Sequence, residues 1–176
     1  MKKKYWVFLA LFVFSLGADQ LTKVWARASL RPRHAGITLI DGYLDLRYSE
    51  NEGSAFGLFR GMPGARYILF GVGIVALYVV ATFLKKAKPE QTRIAAELGL
   101  LAGGAVGNLV DRVALGRVTD FVLMHLHSHE WPIFNVADAA LVVGVLGLLI
   151  DSRDEKKGAT AEPAPAEEPA AKKKRK

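Results

Sequence analysis

Three aspartates, Asp19, Asp111 and Asp138, stand where apolar stretches of the chain give way to polar ones, and a fourth, Asp120, lies in the segment between the last two. An ionisable group held in hydrocarbon is unfavourable by roughly 2.5 to 3.5 kcal/mol, so acids at these margins imply a polar cavity, chemistry, or both. Asn108, Asp111 and Arg112 are spaced i, i+3 and i+4, and Asn135 and Asp138 i and i+3, so each set occupies one face of a helix. Asp19, Thr22 and Lys23 repeat the pattern. Facing lipid, these sets would be untenable; facing one another, they line a polar cavity. They would serve equally well as an inter-helix hydrogen-bond network without activity.

Asp120 lies nine residues beyond Asp111, in Val118-Thr-Asp-Phe121, and on one continuous helix the two acids would point to opposite faces. A turn is therefore expected at Gly116, and a chain bent back there brings Asp120 towards Asp138. Two carboxylates at about 3 Å share one proton, and such a pair can activate water against a carbonyl. That is aspartic-protease chemistry. Alternatives find little support: no GxSxG elbow, HExxH helix or GxxxxGK[ST] loop occurs, and with no cysteine there is no thiol chemistry. His125, His127 and His129 alternate as strand residues do, a spacing that would align three imidazoles for zinc. Solvated histidines in an interfacial loop are the simpler reading, and no metal is expected.

The elements that must carry these residues are apolar. Of 176 residues 51% are hydrophobic and 23% charged, and the mean hydropathy of +0.19 is unlike that of an average soluble domain. The apolar residues concentrate in four blocks of near-bilayer length, giving expected spans at about 5–22, 67–84, 94–110 and 133–150. The first, led by Lys2 to Lys4, reads as an uncleaved span rather than a signal peptide, because three more follow it. Basic residues at Lys2 to Lys4, at Lys85, Lys86, Lys88 and Arg93, and after Arg153 place three segments, and with them both termini, on the cytoplasmic side. Eight of the 24 basic residues follow Ile150, so the net charge of +7 reflects membrane orientation and a basic tail, and nucleic acid is not an expected partner. In this topology Asp19, Asp111 and Asp138 all reach the outer boundary. Gly99, Gly103 and Gly107 recur every fourth residue and make a smooth ridge for a neighbouring helix.

Between the first two spans, Leu44, Leu46 and Tyr48 alternate with polar neighbours and glycines punctuate the stretch, so a small β-sheet is expected over about 36–60. Residues 151–176, rich in Ala, Pro, Glu and Lys, cannot bury a core and read as a disordered, charged cytoplasmic tail. The expected fold is an all-α membrane protein of one domain, residues 1–150, with four transmembrane helices and a small extracytoplasmic sheet.

Five motifs in order, Asp19-Gln-Leu-Thr-Lys23, Asn51-Glu-Gly-Ser-Ala-Phe56, Gly103-Gly-Ala-Val-Gly-Asn-Leu-Val-Asp-Arg112, Val118-Thr-Asp-Phe121 and Phe134-Asn-Val-Ala-Asp138, give the chain from Trp6 to Ile150 a resemblance to the lipoprotein signal peptidases, signal peptidase II. The resemblance implies an intramembrane aspartyl endopeptidase of the bacterial inner membrane, multi-pass and monomeric, with its active site near the periplasmic side. Its dyad would fall on Asp120 and Asp138. Asn108, Asp111, Arg112 and Asn135 would be supporting polar residues, Asn51 and Gly53 would belong to the sheet motif near the substrate, and Asp19 and Lys23 to the first-span motif. The implied substrate is a prolipoprotein carrying a diacylglyceryl thioether, met in the plane of membrane lipid and cut on the amino side of the modified cysteine. No cofactor or metal enters that mechanism. The charged tail and the three histidines are not hallmarks of that family. A small membrane ion or proton transporter, in which intramembrane acids relay ions, is the alternative from another class.

Overall fold

A computed structural model describes residues 2–31, 36–53, 62–126 and 129–160. In chain order the elements are α1 (Lys3–Ser29), β1 (Ile37–Ile40), β2 (Leu44–Asn51), α2 (Ala65–Lys86), α3 (Thr92–Leu115), β3 (Val118–Leu126), β4 (His129–Glu130) and α4 (Val136–Thr160). Helices α1, α2 and α3 are long and apolar enough to cross a membrane, with mean hydropathies of 1.5, 2.3 and 1.3 over their most apolar windows. On α2, Val72, Val75 and Tyr78 are 59–73% exposed, a surface that demands an apolar solvent.

Helix α3 is the centre of the bundle, packed against α1, α2 and α4. The glycine ridge is what α1 lies on. A Cβ added at Gly99 would meet Phe8 O, and one at Gly103 would meet Ser15 Cβ and Phe12 O, so the two backbones approach as only small residues permit. On another side, Gly144 and Gly147 of α4 sit against Leu101 and Glu97. Between the helices, Val80, Leu84, Ala95, Leu98 and Ala102 form an apolar cluster.

The helix ends differ most from expectation in two places, and α3 also runs past the expected 110 to Leu115. Helix α1 runs past Thr22 to Ser29, because Lys23 and Arg27 find buried acidic partners on α3 and need not leave the bundle. Helix α4 runs past Ile150 to Thr160, where a disordered tail was expected. Asp151 there pairs with Arg93 at 3.0 Å, and nothing in the stretch up to Thr160 breaks a helix strongly. The remaining tail, 161–176, lies outside the described residues. At the same end of the bundle, the buried Lys4 donates to Leu84 O at 2.7 Å and to Ala87 O, tying α1 to the carbonyls that end α2.

The sheet covers the opposite end. It is antiparallel with order β1-β2-β3-β4, so β1 and β2, which fall within the expected 36–60, are extended by strands from the second long connection, while residues 54–60 of that expected segment lie outside the described residues. Gly116 ends α3 with φ 75°, a left-handed conformation that glycine adopts without strain, and the chain reverses there into β3. Phe121 of β3 packs with Ala26 of α1 and with Leu30, which caps that helix, fixing the sheet to the helices.

Candidate active site

Strand β3 carries Asp120 and the first turn of α4 carries Asp138, and two sets of contacts hold these elements in register. Phe134, just ahead of α4, bridges Val122: Phe121 N and Val122 N donate to Phe134 O at 3.0 and 2.9 Å, and Phe134 N donates to Val122 O at 3.0 Å. On the other side β2 pairs with β3 so that Ser49 faces Asp120 and Asn51 faces Val118.

Asn135 occupies the N-cap of α4. Asp138 N donates to its Oδ1 at 3.0 Å while Asn135 N donates to Asp138 Oδ2 at 3.3 Å, a reciprocal capping box with Asp in the place that Glu or Gln usually takes. The remaining end of the Asn135 amide is free to reach sideways. Its Nδ2 donates to Asp120 Oδ1 at 2.6 Å and to Asn108 Oδ1 at 3.2 Å. Asn108 Nδ2 in turn donates to Asp138 Oδ1 at 2.8 Å, and Asn51 Nδ2 donates to Asp120 Oδ2 at 3.0 Å. Each carboxylate thus has both oxygens engaged, and Asn135 links the two.

Behind this pair lies a buried ionic network. Lys23 Nζ pairs with Asp19 Oδ2 at 2.8 Å and Asp111 Oδ2 at 3.5 Å, and donates to Asn108 Oδ1 at 2.9 Å. An ammonium wholly removed from water is tolerable only with such partners. Asp19 Oδ1 accepts from Ala137 N at 2.9 Å, placing a negative charge on the N-terminus of α4 where the helix dipole favours it. Asp111 Oδ2 accepts from Thr119 N at 2.9 Å, anchoring the residue before Asp120. Arg112 donates to Asn108 O at 3.2 Å and to Gly53 O at 3.4 Å, and Gly53 N donates to Asn51 Oδ1 at 3.0 Å. All ten residues singled out from the sequence therefore meet in one cluster at the sheet end of the bundle.

Three further residues belong to it. Arg27 pairs with Asp111 Oδ1 at 3.5 Å and donates to Thr119 Oγ1 at 3.0 Å. It lies four residues beyond Lys23 on the same face of α1, so extending the helical spacing by one turn would have found it. Thr119 and Gln20 left no such signal; Gln20 Nε2 donates to Asp19 Oδ2 at 3.0 Å and to Gly107 O at 3.1 Å. Of the histidines, His125 Nε2 stands 3.4 Å from Asp45 Oδ2, and His127 lies outside the described residues. Among the described residues no group of three His, Cys, Asp or Glu is placed to hold a metal ion.

Burial first, and the charge of Asp138 second, push the Asp120 carboxyl up from 3.8 to about 6 against the opposing donors Asn51 and Asn135. A carboxyl so raised, linked through the side chain and backbone N–H of Asn135 to a second carboxylate, can exchange a proton with a reacting carbonyl at moderate pH.

The comparisons with known protein sequences agree on one family. A family model described as signal peptidase (SPase) II matches residues 11–153. A lipoprotein signal peptidase of Geobacter sulfurreducens is 39% identical over 90% of this chain and 99% of its own. That of Geobacter metallireducens is 37% identical over 89% of this chain and 97% of its own. A solved bacterial membrane enzyme, determined by the in meso method at 2.3 Å resolution, superposes with a TM-score of 0.76 at 27% identity, covering 89% of this chain and 93% of the other.

Proposed function

The chain belongs to the signal peptidase II family, a family of proteases in lipoprotein processing, and we propose that Asp120 and Asp138 form the aspartic dyad of that activity. The observation that carries this reading is the link through Asn135, which brings two carboxylates from separate elements to one buried site. Asp120, with its carboxyl raised to about 6, enters with the shared proton and polarises the scissile carbonyl. Ionised Asp138 takes a proton from water as the water oxygen bonds to the carbonyl carbon. Asp120 passes its proton to the carbonyl oxygen to complete a gem-diol. This collapses by breaking the C–N bond as one hydroxyl returns a proton to Asp120 and Asp138, now protonated, delivers its own to the leaving amine. Asn51, Asn108 and Asn135 hold the carboxylate oxygens. Arg112, charged at any working pH, orients the Asn51 and Gly53 turn and not a transferred proton.

The substrate is a prolipoprotein bearing a diacylglyceryl thioether on cysteine, and the bond cut lies on the amino side of that residue. Helix α4 makes the fourth span, since it packs on α3 and turns Val142, Val145, Leu146 and Leu149 outwards. Even spans bring both termini to the basic, cytoplasmic side of the inner membrane and leave the dyad near the periplasmic face. Every residue assigned to the site comes from one chain, so a monomer suffices for the activity. Buried ionisable residues gather at the two ends of the bundle, with Ser15 the buried polar residue between them among those described, so the transporter alternative lacks a relay through the membrane.

Incubating the purified protein with a diacylglyceryl-modified precursor tests the reading. The expected product is a chain beginning at the lipidated cysteine, identified by mass. Asp120→Asn and Asp138→Asn should each abolish cleavage in a folded protein, and turnover by either variant overturns the dyad.

A further inference from the structure

Helices α2 and α3 close on one another where Gly73 faces Leu109, a contact so tight that an added Cβ would come within 2.7 Å of Leu109 Cδ2. Towards the sheet end they part, and a crevice of about 290 Å³ opens between them, lined by Arg66, Tyr67, Phe70, Arg112 and Val113. Two guanidiniums face this small volume. Arg66 lies 4.6 Å from the Tyr67 ring centroid and donates to Tyr67 Oη at 2.6 Å, while Arg112 uses part of its fork on Asn108 O and Gly53 O. Among the described residues neither forms an ion pair. A guanidinium carries five N–H donors, so both have donors to spare for oxygen acceptors. The rest of the lining is apolar and open to the bilayer, with Tyr67 66% and Val113 71% exposed. A ligand that fits has acceptor oxygens at the start of hydrocarbon chains.

We propose that this crevice receives the glyceryl diester of the substrate, with Arg66 donating to an acyl ester carbonyl. The proposal rests on the signal peptidase reading above. In that reading the lipidated cysteine is the first residue after the scissile bond, so its glyceryl group must lie beside the dyad. Arg112 provides the continuity, because it lines the crevice and also donates to the backbone of Asn108, whose amide holds Asp138 Oδ1, and to Gly53 O, next but one to the Asn51 that holds Asp120 Oδ2. Arg66 sits at the start of α2, where a cation gains nothing from the helix dipole, so the helix itself gives no reason for a charge there.

The test pairs a protein change with a substrate change. Two lipobox peptides are compared in nanodiscs, one bearing a dipalmitoyl glyceryl diester and one a dihexadecyl glyceryl diether, which lacks the carbonyl acceptors. Arg66→Leu should lower kcat/KM on the diester about tenfold, mostly through KM, and on the diether less than about twofold, because a charged donor loses its partner in only one case. Arg66→Lys should recover part of the loss. Equal loss on both substrates, or none on either, overturns the proposal. Equal loss that follows the phosphatidylglycerol content of the nanodisc overturns it in favour of a bilayer phosphate. Failure of the unsubstituted chain to cleave either peptide would instead bring down the peptidase reading itself, so the two failures are distinct.

Discussion

Asn135 donates its side-chain amide to Asp120 Oδ1 across 2.6 Å while its own carbonyl oxygen caps the helix that carries Asp138. One side chain thus has a structural duty and a site duty, and substitutions can separate them. Asn135→Ser keeps an N-cap acceptor, so its unfolding temperature in detergent should change little, yet it lacks the donor to Asp120 and should lose roughly 10- to 100-fold in kcat. Asn135→Ala should lose activity similarly and, without a cap, about 1 kcal/mol of stability as well. Equal activity in Asn135→Ser and the unsubstituted protein would show that the contact to Asp120 is incidental.

Lys23 supplies the charge that makes two buried aspartates tolerable. Lys23→Met leaves Asp19 and Asp111 facing each other's charge without it, and breaking a buried pair in this way is unfavourable by about 3–5 kcal/mol. The expected result is a large fall in unfolding temperature. Adding Asp19→Asn to Lys23→Met removes one of the stranded charges, so the double variant should be more stable than Lys23→Met alone. Additive losses in the two single variants would deny the coupling.

Gly116 turns the chain from α3 into β3 with φ 75°, in a region where no neighbour would obstruct a Cβ. Substitution there therefore probes backbone conformation with little steric confusion. Gly116→Asn should cost little, since Asn visits the left-handed region readily, whereas Gly116→Val should lose about 1–2 kcal/mol and shift Asp120 out of register. The ratio of cleavage rates for the two variants is the measurement. Indistinguishable rates would mean that the sheet pairing alone sets the position of Asp120.

Much of this was legible in the sequence because hydrocarbon is an unforgiving solvent: apolar blocks announce the helices, and polar residues within them must converge. The glycine ridge at Gly99, Gly103 and Gly107 likewise has one physical use, and α1 fills it. Strand β3 was hidden for a related reason. Val118, Thr119, Asp120 and Phe121 are all buried, so both faces of the strand are covered and no alternation of polar and apolar residues marks it. The length of α1 was hidden too, because Lys23 and Arg27 look like the end of a span until Asp111, far along the chain, is brought beside them. Local pattern carries the elements; partners distant in sequence decide where those elements stop.

The raised carboxyl of Asp120 ties activity to pH, and it ties stability to pH in the sense opposite to a salt-bridged aspartate, whose carboxyl is held below its usual range. A dyad that needs one proton loses its active form as pH rises through the upper apparent pKa of the pair, so kcat/KM should fall on the alkaline side with a midpoint near the value of about 6 carried by Asp120. Stability follows by linkage. Unfolded, the carboxyl returns to 3.8; folded, it holds its proton up to about 6, so the native state binds more protons across that window. The stabilisation is complete below the lower value and is lost as pH rises through the upper one. Asp120→Asn cannot titrate, so its unfolding temperature should gain on that of the unsubstituted protein as pH is raised from about 4 to about 6. A difference that stays flat across that range would place the Asp120 carboxyl in a solvated setting with an ordinary affinity for its proton, and the assignment of the shared proton to it would fail.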